Sequence, residues 1–469
     1  MDSSNTSPVA LAFEGAEYTR GDLTAMAAGL AAGLQLRGVR AGDRVALMSS
    51  NRPEFVAALW AVWGVGASVV LMSSSWKQAE VRHALTLTGA GHGVGDSTLL
   101  AEAIPMLSLD DPRRPDGIDL AAPPPAADAV FVFSSGTTGM PKAVRHTHGG
   151  FAAAVRQWRL ALALTPADRM QILTPPSHTL GLLNIVTAIE TGAWMRLHRR
   201  FEVDAMLETI ARDRITIEMC VAPIALALAA HPGLEDYDLS SLRYMIWGAT
   251  PFAASVAETI TRRSGLRWVT AYGASELPVI TCNPLENPRL DTVGPPVDGV
   301  DVRIVSGETG DPLPSDVAGE IEVRSPSLMV GYLPESANAE VFRDGWYRTG
   351  DIGKLSADGY LSITDRSKEM IKVRGFQVAP AEVEAVLHAH PAVADCAAFG
   401  VPDADDGEAV IVAVQRCGDV DDDELIATIG DRLASYKRPR AIVFVDQIPR
   451  LASGKVLRRV LKNDYMQAG

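Results

Sequence analysis

The chain has 469 residues, 47% of them hydrophobic and 21% charged, with a formal net charge of −14. That length exceeds one ordinary core and predicts at least two domains, while the acidic balance excludes a nucleic-acid-binding surface, which needs a basic stripe. Cys220, Cys282, Cys396 and Cys417 are scattered, with no C-x-x-C and no paired histidines, so they give no zinc spacing and suit a reducing compartment.

Met1-Asp-Ser-Ser-Asn-Thr-Ser-Pro8 lacks the basic and apolar regions of a leader. The longest apolar stretch, 57–72, is broken by Gly64 and Gly66 and is too short to span a bilayer. A cytoplasmic enzyme without membrane insertion is expected. Helical spacing of small and apolar residues predicts a helix over 22–36, then a buried strand at 45–48, a helix at 54–63 opened by Asn51-Arg52-Pro53, and a strand at 69–72. This alternation predicts a doubly wound α/β layer. Gly89-Ala-Gly-His-Gly-Val-Gly95 fits G-x-G-x-x-G in no register and reads as a loop, and residues 110–128, rich in Pro, Asp and Ala, read as a connector.

The strand at 129–133 runs into Ser134-Ser-Gly-Thr-Thr-Gly-Met-Pro-Lys142. Gly136 and Gly139 let backbone N–H groups approach an anion, the hydroxyls of Ser134, Ser135, Thr137 and Thr138 add donors, and Lys142 adds charge. The segment is therefore a candidate phosphate cradle. It is not the common P-loop, because Pro141 precedes the lysine and Ala143 follows it. Further on, helices at 204–212 and 223–230 flank a strand at 216–221, and 244–247 is an apolar strand ending at Gly248. From 300 to 332 short alternating strands predict a β subdomain. A small α/β lobe begins near 369; Pro380 opens a helix with Val383, Val386 and Leu387 on one face, Pro391 closes it, and the acidic run at 419–424 reads as a solvated turn ahead of a helix.

The phosphate loop, Tyr272-Gly-Ala-Ser-Glu276, Tyr347-Arg-Thr-Gly-Asp351, Asp365-Arg-Ser-Lys368 and Ser453-Gly-Lys455, taken in this order, resemble the adenylate-forming superfamily of acyl-CoA synthetases, peptide-synthetase adenylation domains and luciferases. The coumarate:CoA ligase and medium-chain acyl-CoA synthetase branch is the most similar in look. The resemblance implies an α/β fold, with a large N-terminal domain of doubly wound α/β layers plus a β subdomain over residues 1–367 and a small mobile α+β C-terminal lobe over 368–469 carrying the catalytic lysine. It implies ATP, Mg²⁺ and coenzyme A (CoA) as cofactors, a small carboxylic acid as substrate, acyl-AMP formation with release of pyrophosphate, and then a CoA thioester. Two alternatives keep adenylation and change the second half-reaction: transfer to a carrier protein or an amine, or adenylation of nitrite for attack by an aromatic amine.

By the same resemblance, the phosphate loop closes over the β and γ phosphates, and Asp351 takes the ribose hydroxyls with Arg366 assisting. Tyr272 stacks on adenine, framed by Gly248, Ala249, Thr250 and Ala271. Glu276 is the Mg²⁺ ligand, a hard oxygen donor shared with ATP oxygens, and Ser275, where most relatives have Thr, bonds the α-phosphate. Lys455 is the catalytic lysine, meeting the charge that builds at phosphorus. Because it lies far along the small lobe, that lobe must swing about Lys368, and its rotated face, with Lys372, Gly375 and Gln377, admits the CoA thiol. The residues alone also allow an amphipathic edge strand at 372–377.

Pro176-Ser-His-Thr-Leu-Gly181 resembles the segment whose histidine gates the acyl pocket; on its own, His178 also reads as a core histidine. Ser177, Thr179, Leu180, Leu183 and Pro278 are further pocket candidates. Trp247 stands where relatives carry Ser or Thr. A ring turned inward fills much of the acyl tunnel, whereas a ring on the opposite face of the strand belongs to the core. Ala271, where a glycine is frequent, acts in the same direction as an inward ring, and a constricted pocket motivates the nitrite alternative.

Overall fold

Along the strand Arg44–Met48, Val45 and Leu47 enter one hydrophobic core while Ala46 and Met48 enter another, because successive side chains of a strand leave on opposite faces. A strand buried on both faces needs helices on both sides. The computed structural model describes residues 8–111, 116–134, 141–366, 369–373, 376–403, 407–451 and 454–468, and it places this strand inside a seven-stranded sheet. The sheet runs Gly331–Leu333, Lys142–Thr147, Asp128–Ser134, Ser68–Met72, Arg44–Met48, His92–Gly95, Met106–Ser108, parallel from Asp128–Ser134 onward. An eight-stranded sheet runs Thr281–Cys282, Trp268–Tyr272, Tyr244–Trp247, Ile217–Cys220, Arg169–Ile172, Trp194–Leu197, Val9–Phe13, Ala16–Thr19, parallel except at its edges.

Helices Arg20–Leu36, Pro53–Gly64, His148–Ala161 and Thr179–Thr191 fill the space between the sheets, and Val203–Asp213, Ala222–Ala230 and Ala254–Ser264 cover the outer face of the eight-stranded one. Each fully buried leucine of the shared core, such as Leu47 or Leu59, contributes about 1.5–3 kcal/mol. The expected doubly wound layers are therefore real, and one core serves both sheets.

The loop expected at 89–95 is instead a helix cap and a strand. Gly89 takes φ +67 after the helix Gln78–Thr88, and His92–Gly95 pairs in parallel with Arg44–Met48. A Cβ on Gly95 would stand 2.2 Å from the Met48 carbonyl oxygen, so that glycine serves close strand packing. The β subdomain is a five-stranded antiparallel sheet of Asp301–Val305, Gly319–Arg324, Trp346–Leu355, Phe342–Arg343 and Leu361–Arg366. Gly331–Leu333, expected within it, leaves to pair with Lys142–Thr147 of the seven-stranded sheet, a departure that matters for the site.

Beyond residue 369, Phe376–Val378, Ile371–Val373, Gly407–Arg416, Val393–Asp403 and Ala441–Phe444 form a further sheet. Helices Pro380–His388 and Asp422–Gly430 pack on one face and Arg458–Ala468 on the other. The acidic run at 419–424 is a helix start as well as a turn, since Asp421 accepts the Glu424 N–H at 2.9 Å as an N-cap. Among the described residues no helix is long and apolar enough to cross a membrane.

Candidate active site

Ligands of open α/β sheets bind beyond the C-terminal ends of parallel strands, and the sequence motifs converge there. Ser134 and Lys142 face each other at the ends of paired strands, bracketing the phosphate loop; Ser135, Gly136, Thr137, Thr138 and Gly139 lie outside the described residues. The Lys142 ammonium stands 5.1 Å from the centre of the Tyr332 ring. The Tyr332 hydroxyl donates to Glu276 Oε1 at 2.7 Å and lies 3.1 Å from the Tyr347 hydroxyl. Tyr332 thus links the phosphate-loop lysine to Glu276, and it can do so because its short strand pairs beside Lys142–Thr147. Asn338 clamps it, accepting the Tyr332 N–H at 2.7 Å and donating to its carbonyl at 3.2 Å. Sequence motifs alone do not reveal Tyr332; its one signal is an aromatic residue directly after Gly331.

Glu276 is only 8% exposed. Its loop turns tightly: a Cβ on Gly273 would stand 2.2 Å from the Pro278 carbonyl oxygen, so the Tyr-Gly-Ala-Ser-Glu motif requires glycine at that place. Beneath the loop, His146 Nε2 is 2.7 Å from the Ser275 carbonyl. Burial drives the His146 pKa down to about 4, against the opposing pull of that carbonyl. The imidazole is therefore neutral at physiological pH, with its proton on Nε2, because a carbonyl only accepts.

Gly248, Ala249 and Thr250 follow the strand Tyr244–Trp247. The Thr250 N–H donates back to the Gly248 carbonyl at 2.7 Å around Ala249 at φ +61, a three-residue turn that is rare for a residue with a side chain and costs on the order of 1–3 kcal/mol. Thr250 Oγ1 fixes this turn by accepting the Ala222 N–H at 3.0 Å. On the neighbouring strand, Ala271 is half-buried and Tyr272 donates its hydroxyl to Asp351, which is 6% exposed. Asp351 stands directly opposite Arg366 in its antiparallel ladder. The Tyr272 and Asp351 motifs, from different sheets, thus meet in one hydrogen bond.

The small lobe brings Lys455 toward the same place. A Cβ on Gly454, which takes φ +84, would lie 2.9 Å from Pro223 Cδ and 3.2 Å from Thr250 Cγ2, so the lysine turn rests against the Gly248–Thr250 segment. The lobes are joined by Ser255 Oγ donating to the His388 carbonyl at 3.2 Å and the Ala381 N–H donating to Asp365 at 3.0 Å. Lys368 and Gly375 lie outside the described residues, and Arg366 and Gln377 are described in their backbone only. Lys372 is exposed between buried Ile371 and Val373 and pairs with Gln377 across an edge hairpin, the amphipathic pattern that the residues themselves allow.

His178 is the half-buried N-cap of the helix Thr179–Thr191, and burial pushes its pKa down, favouring neutral imidazole. Gly181 is required there, since a Cβ would stand 2.2 Å from the Pro175 carbonyl oxygen. Thr179 and Leu183 are buried, Leu183 in the core shared by the sheets, while Ser177, Leu180 and Pro278 are half-buried.

Trp247 does not turn inward. Its ring is 2% exposed, 5.0 Å from Phe252 and 5.5 Å from Trp268, and its Nε1 donates to Thr250 Oγ1 at 3.0 Å. It belongs to the outer core beneath helices Ala222–Ala230 and Ala254–Ser264. Strand alternation explains this: Tyr244 and Ile246 face the shared core with Leu183, while Met245 and Trp247 face outward. The expectation that places Trp247 in the acyl pocket is corrected, and Ile246 is the residue of that strand on the Leu183 side.

The motifs at Lys142, Tyr272–Glu276 and Asp351 meet beneath a lobe bearing Lys455, the arrangement expected of a two-lobed, ATP-using, adenylate-forming ligase. The AMP-binding enzyme model matches residues 3–333 and the AMP-binding enzyme C-terminal domain model matches residues 382–455. The chain belongs to the AMP-binding enzyme family. It is 35% identical to a feruloyl-CoA synthase of Amycolatopsis sp, covering 96% of this chain and 94% of that one, and 32% identical to 4-coumarate–CoA ligase 2 of Nicotiana tabacum, covering 95% and 89%. Its structure matches o-succinylbenzoate CoA synthetase (MenE) from Bacillus subtilis in complex with the acyl-adenylate intermediate, with a TM-score of 0.90 and 30% identity over 98% of this chain and 96% of that one. The chain is an AMP-forming acid:CoA ligase by class: a carboxylate and ATP give an acyl adenylate and pyrophosphate, and CoA then takes the acyl group as a thioester.

Proposed function

We propose that the chain activates an aromatic or arylpropenoic acid and forms its CoA thioester. The observation that carries this reading is the outward placement of Trp247, which leaves the apolar Ile246 and Leu183 on the opposite face of the strand Tyr244–Trp247 and leaves Ala271 as the one remaining reason to expect a constricted pocket. The feruloyl- and coumarate-using relatives support the same acid class.

In this reading Ser134, Lys142 and the loop between them hold the β and γ phosphates, Asp351 holds the ribose, and Tyr272 packs on adenine beside Gly248–Thr250. The residues fit a cation carried by ATP: Glu276 is a nearly buried carboxylate linked through Tyr332 to Lys142, and Mg²⁺ typically takes one or two carboxylates plus substrate phosphates. Glu276 is the carboxylate that would hold it, and the ion would neutralise phosphate charge. Ser275 reaches toward the α-phosphate and neutral His178 borders the acid. Lys455 meets the oxygens around the α-phosphorus as charge concentrates there, an aimed interaction worth about 10²- to 10³-fold in rate. Rotation of the small lobe then withdraws Lys455 and presents the segment with Lys372, Gly375 and Gln377 to CoA.

Pyrophosphate release measured with ATP and Mg²⁺ over benzoic, cinnamic, hydroxycinnamic and short aliphatic acids, with and without CoA, tests the proposal. Release with hydroxycinnamates that yields a thioester is expected. Preference for short aliphatic acids would overturn the acid class. Carboxylate-dependent release without a thioester would point to an amine or carrier-protein acceptor.

A further inference from the structure

The turn that carries Lys455 is braced from both sides within the small lobe. On one side Arg450 donates to the Gly454 carbonyl at 2.8 Å and pairs with Asp395 at 2.8 Å, while Leu451 and Lys455 close the turn with a 2.8 Å backbone hydrogen bond. On the other side stands Glu369, directly after Lys368 in sequence. Its Oε2 pairs tightly with Arg458, and its Oε1 lies 3.7 Å from the Lys455 ammonium. Arg458 in turn bonds Glu384 at 2.7 Å and the Ala398 carbonyl at 2.9 Å, so the guanidinium is anchored in the lobe.

We infer that Glu369 is a positioning residue for adenylation: its carboxylate stands between Lys455 and Arg458 and holds the lysine ammonium aimed at the site until ATP takes it. The inference rests on the proposed role of Lys455. Lys455 and Arg458 each meet one oxygen of the same carboxylate, so Glu369 offsets the repulsion between the two cations. The unequal contacts give it a direction. Arg458 is the tight partner and remains; Lys455 is the loose partner, in a pair whose side chains are 27% and 20% exposed, and such partly exposed pairs are weak. A polyphosphate can therefore take the ammonium over without dismantling the lobe. Glu369, Arg458 and Lys455 all come after the hinge position, so the arrangement travels with the lobe as it rotates.

The test separates the two half-reactions in Glu369→Gln, Glu369→Asp and Lys455→Ala. Glu369→Gln is expected to lower kcat of acyl-adenylate formation by about 10- to 10²-fold, the scale of a misplaced catalytic group. KM for ATP should stay within about twofold, because the large domain holds the nucleotide, and thioester formation from supplied acyl adenylate should be unchanged. Glu369→Asp, which keeps the charge, should recover part of the loss. Equal loss in both half-reactions would show a structural role for Glu369 and overturn the inference, as would an unchanged adenylation rate or an Asp variant worse than Gln. Full adenylation by Lys455→Ala would instead overturn the assignment of the lysine itself.

Discussion

The Tyr332 hydroxyl donates to Glu276 at 2.7 Å while its ring lies 5.1 Å beneath the Lys142 ammonium. One side chain from an edge strand thus touches the phosphate-loop lysine and the carboxylate proposed to meet Mg²⁺. Tyr332→Phe keeps the ring under Lys142 and removes the hydroxyl that bonds Glu276 and meets the Tyr347 hydroxyl. Adenylation should fall about tenfold with a higher Mg²⁺ requirement, and stability should drop by about 1 kcal/mol, the usual worth of one hydrogen bond. Titrating Mg²⁺ at fixed ATP checks this, with direct ATP binding by calorimetry as a readout independent of turnover. An unaltered Mg²⁺ dependence would place the metal away from Glu276.

Trp247 and Ile246 are neighbours with opposite duties. Trp247→Ala should destabilise the large domain by about 3–5 kcal/mol, as removal of a fully buried aromatic does, and leave the order of preferred acids unchanged. Ile246→Ala should cost about 2–5 kcal/mol of stability at most and shift preference toward bulkier acids. Competition between cinnamic acids of increasing ring substitution reads the difference. A changed preference in the Trp247 variant alone would reverse the assignment.

Much of the candidate site is legible in the sequence because its motifs are local. Ser134 to Lys142, Tyr272 to Glu276 and the turn at Lys455 carry their glycines and charges in contiguous runs, so their order along the chain carries the family resemblance that marks them as candidates. Tyr332 and Glu369 are not legible, because their importance comes from partners 56 and 86 positions away, Glu276 and Lys455. Trp247 misleads for another reason: a buried strand apolar on both faces gives no polar alternation to reveal which side is which. The strand His92–Gly95 is hidden because glycine is a poor strand former by propensity, and only the proximity of Met48 explains Gly95.

Gly181 opens a prediction about the entrance to the acyl side. A Cβ there would lie 2.2 Å from the Pro175 carbonyl oxygen and 2.9 Å from that of Thr174, and both are backbone atoms that cannot step aside without moving the turn that carries His178. Gly181→Ala should therefore raise KM for the acid about tenfold or more, while KM for ATP stays near its original value. Steady-state kinetics with each substrate varied in turn distinguishes the two. A parallel rise in both constants would indicate general unfolding.

Glu218 gives the chain a pH dependence remote from catalysis. It is fully buried on the strand Ile217–Cys220; its Oε1 accepts the Met219 N–H at 2.9 Å, and its Oε2 has no hydrogen-bond partner among the described residues. Burial pushes its pKa up to about 8, outweighing Gln171 and the Met219 amide, which act the other way. In the unfolded chain the carboxyl ionises near 4.5, so between these two values the folded state holds the extra proton. Stability from this group is therefore greatest below the lower value, falls as pH rises through the window, and reaches its minimum above about 8. Glu218→Gln removes the titration and keeps the shape. Denaturation from about pH 5 to about pH 9 should show the native chain losing a few kcal/mol that the variant retains, with the variant the more stable at the alkaline end. Equal slopes for the two chains would assign the loss to other groups.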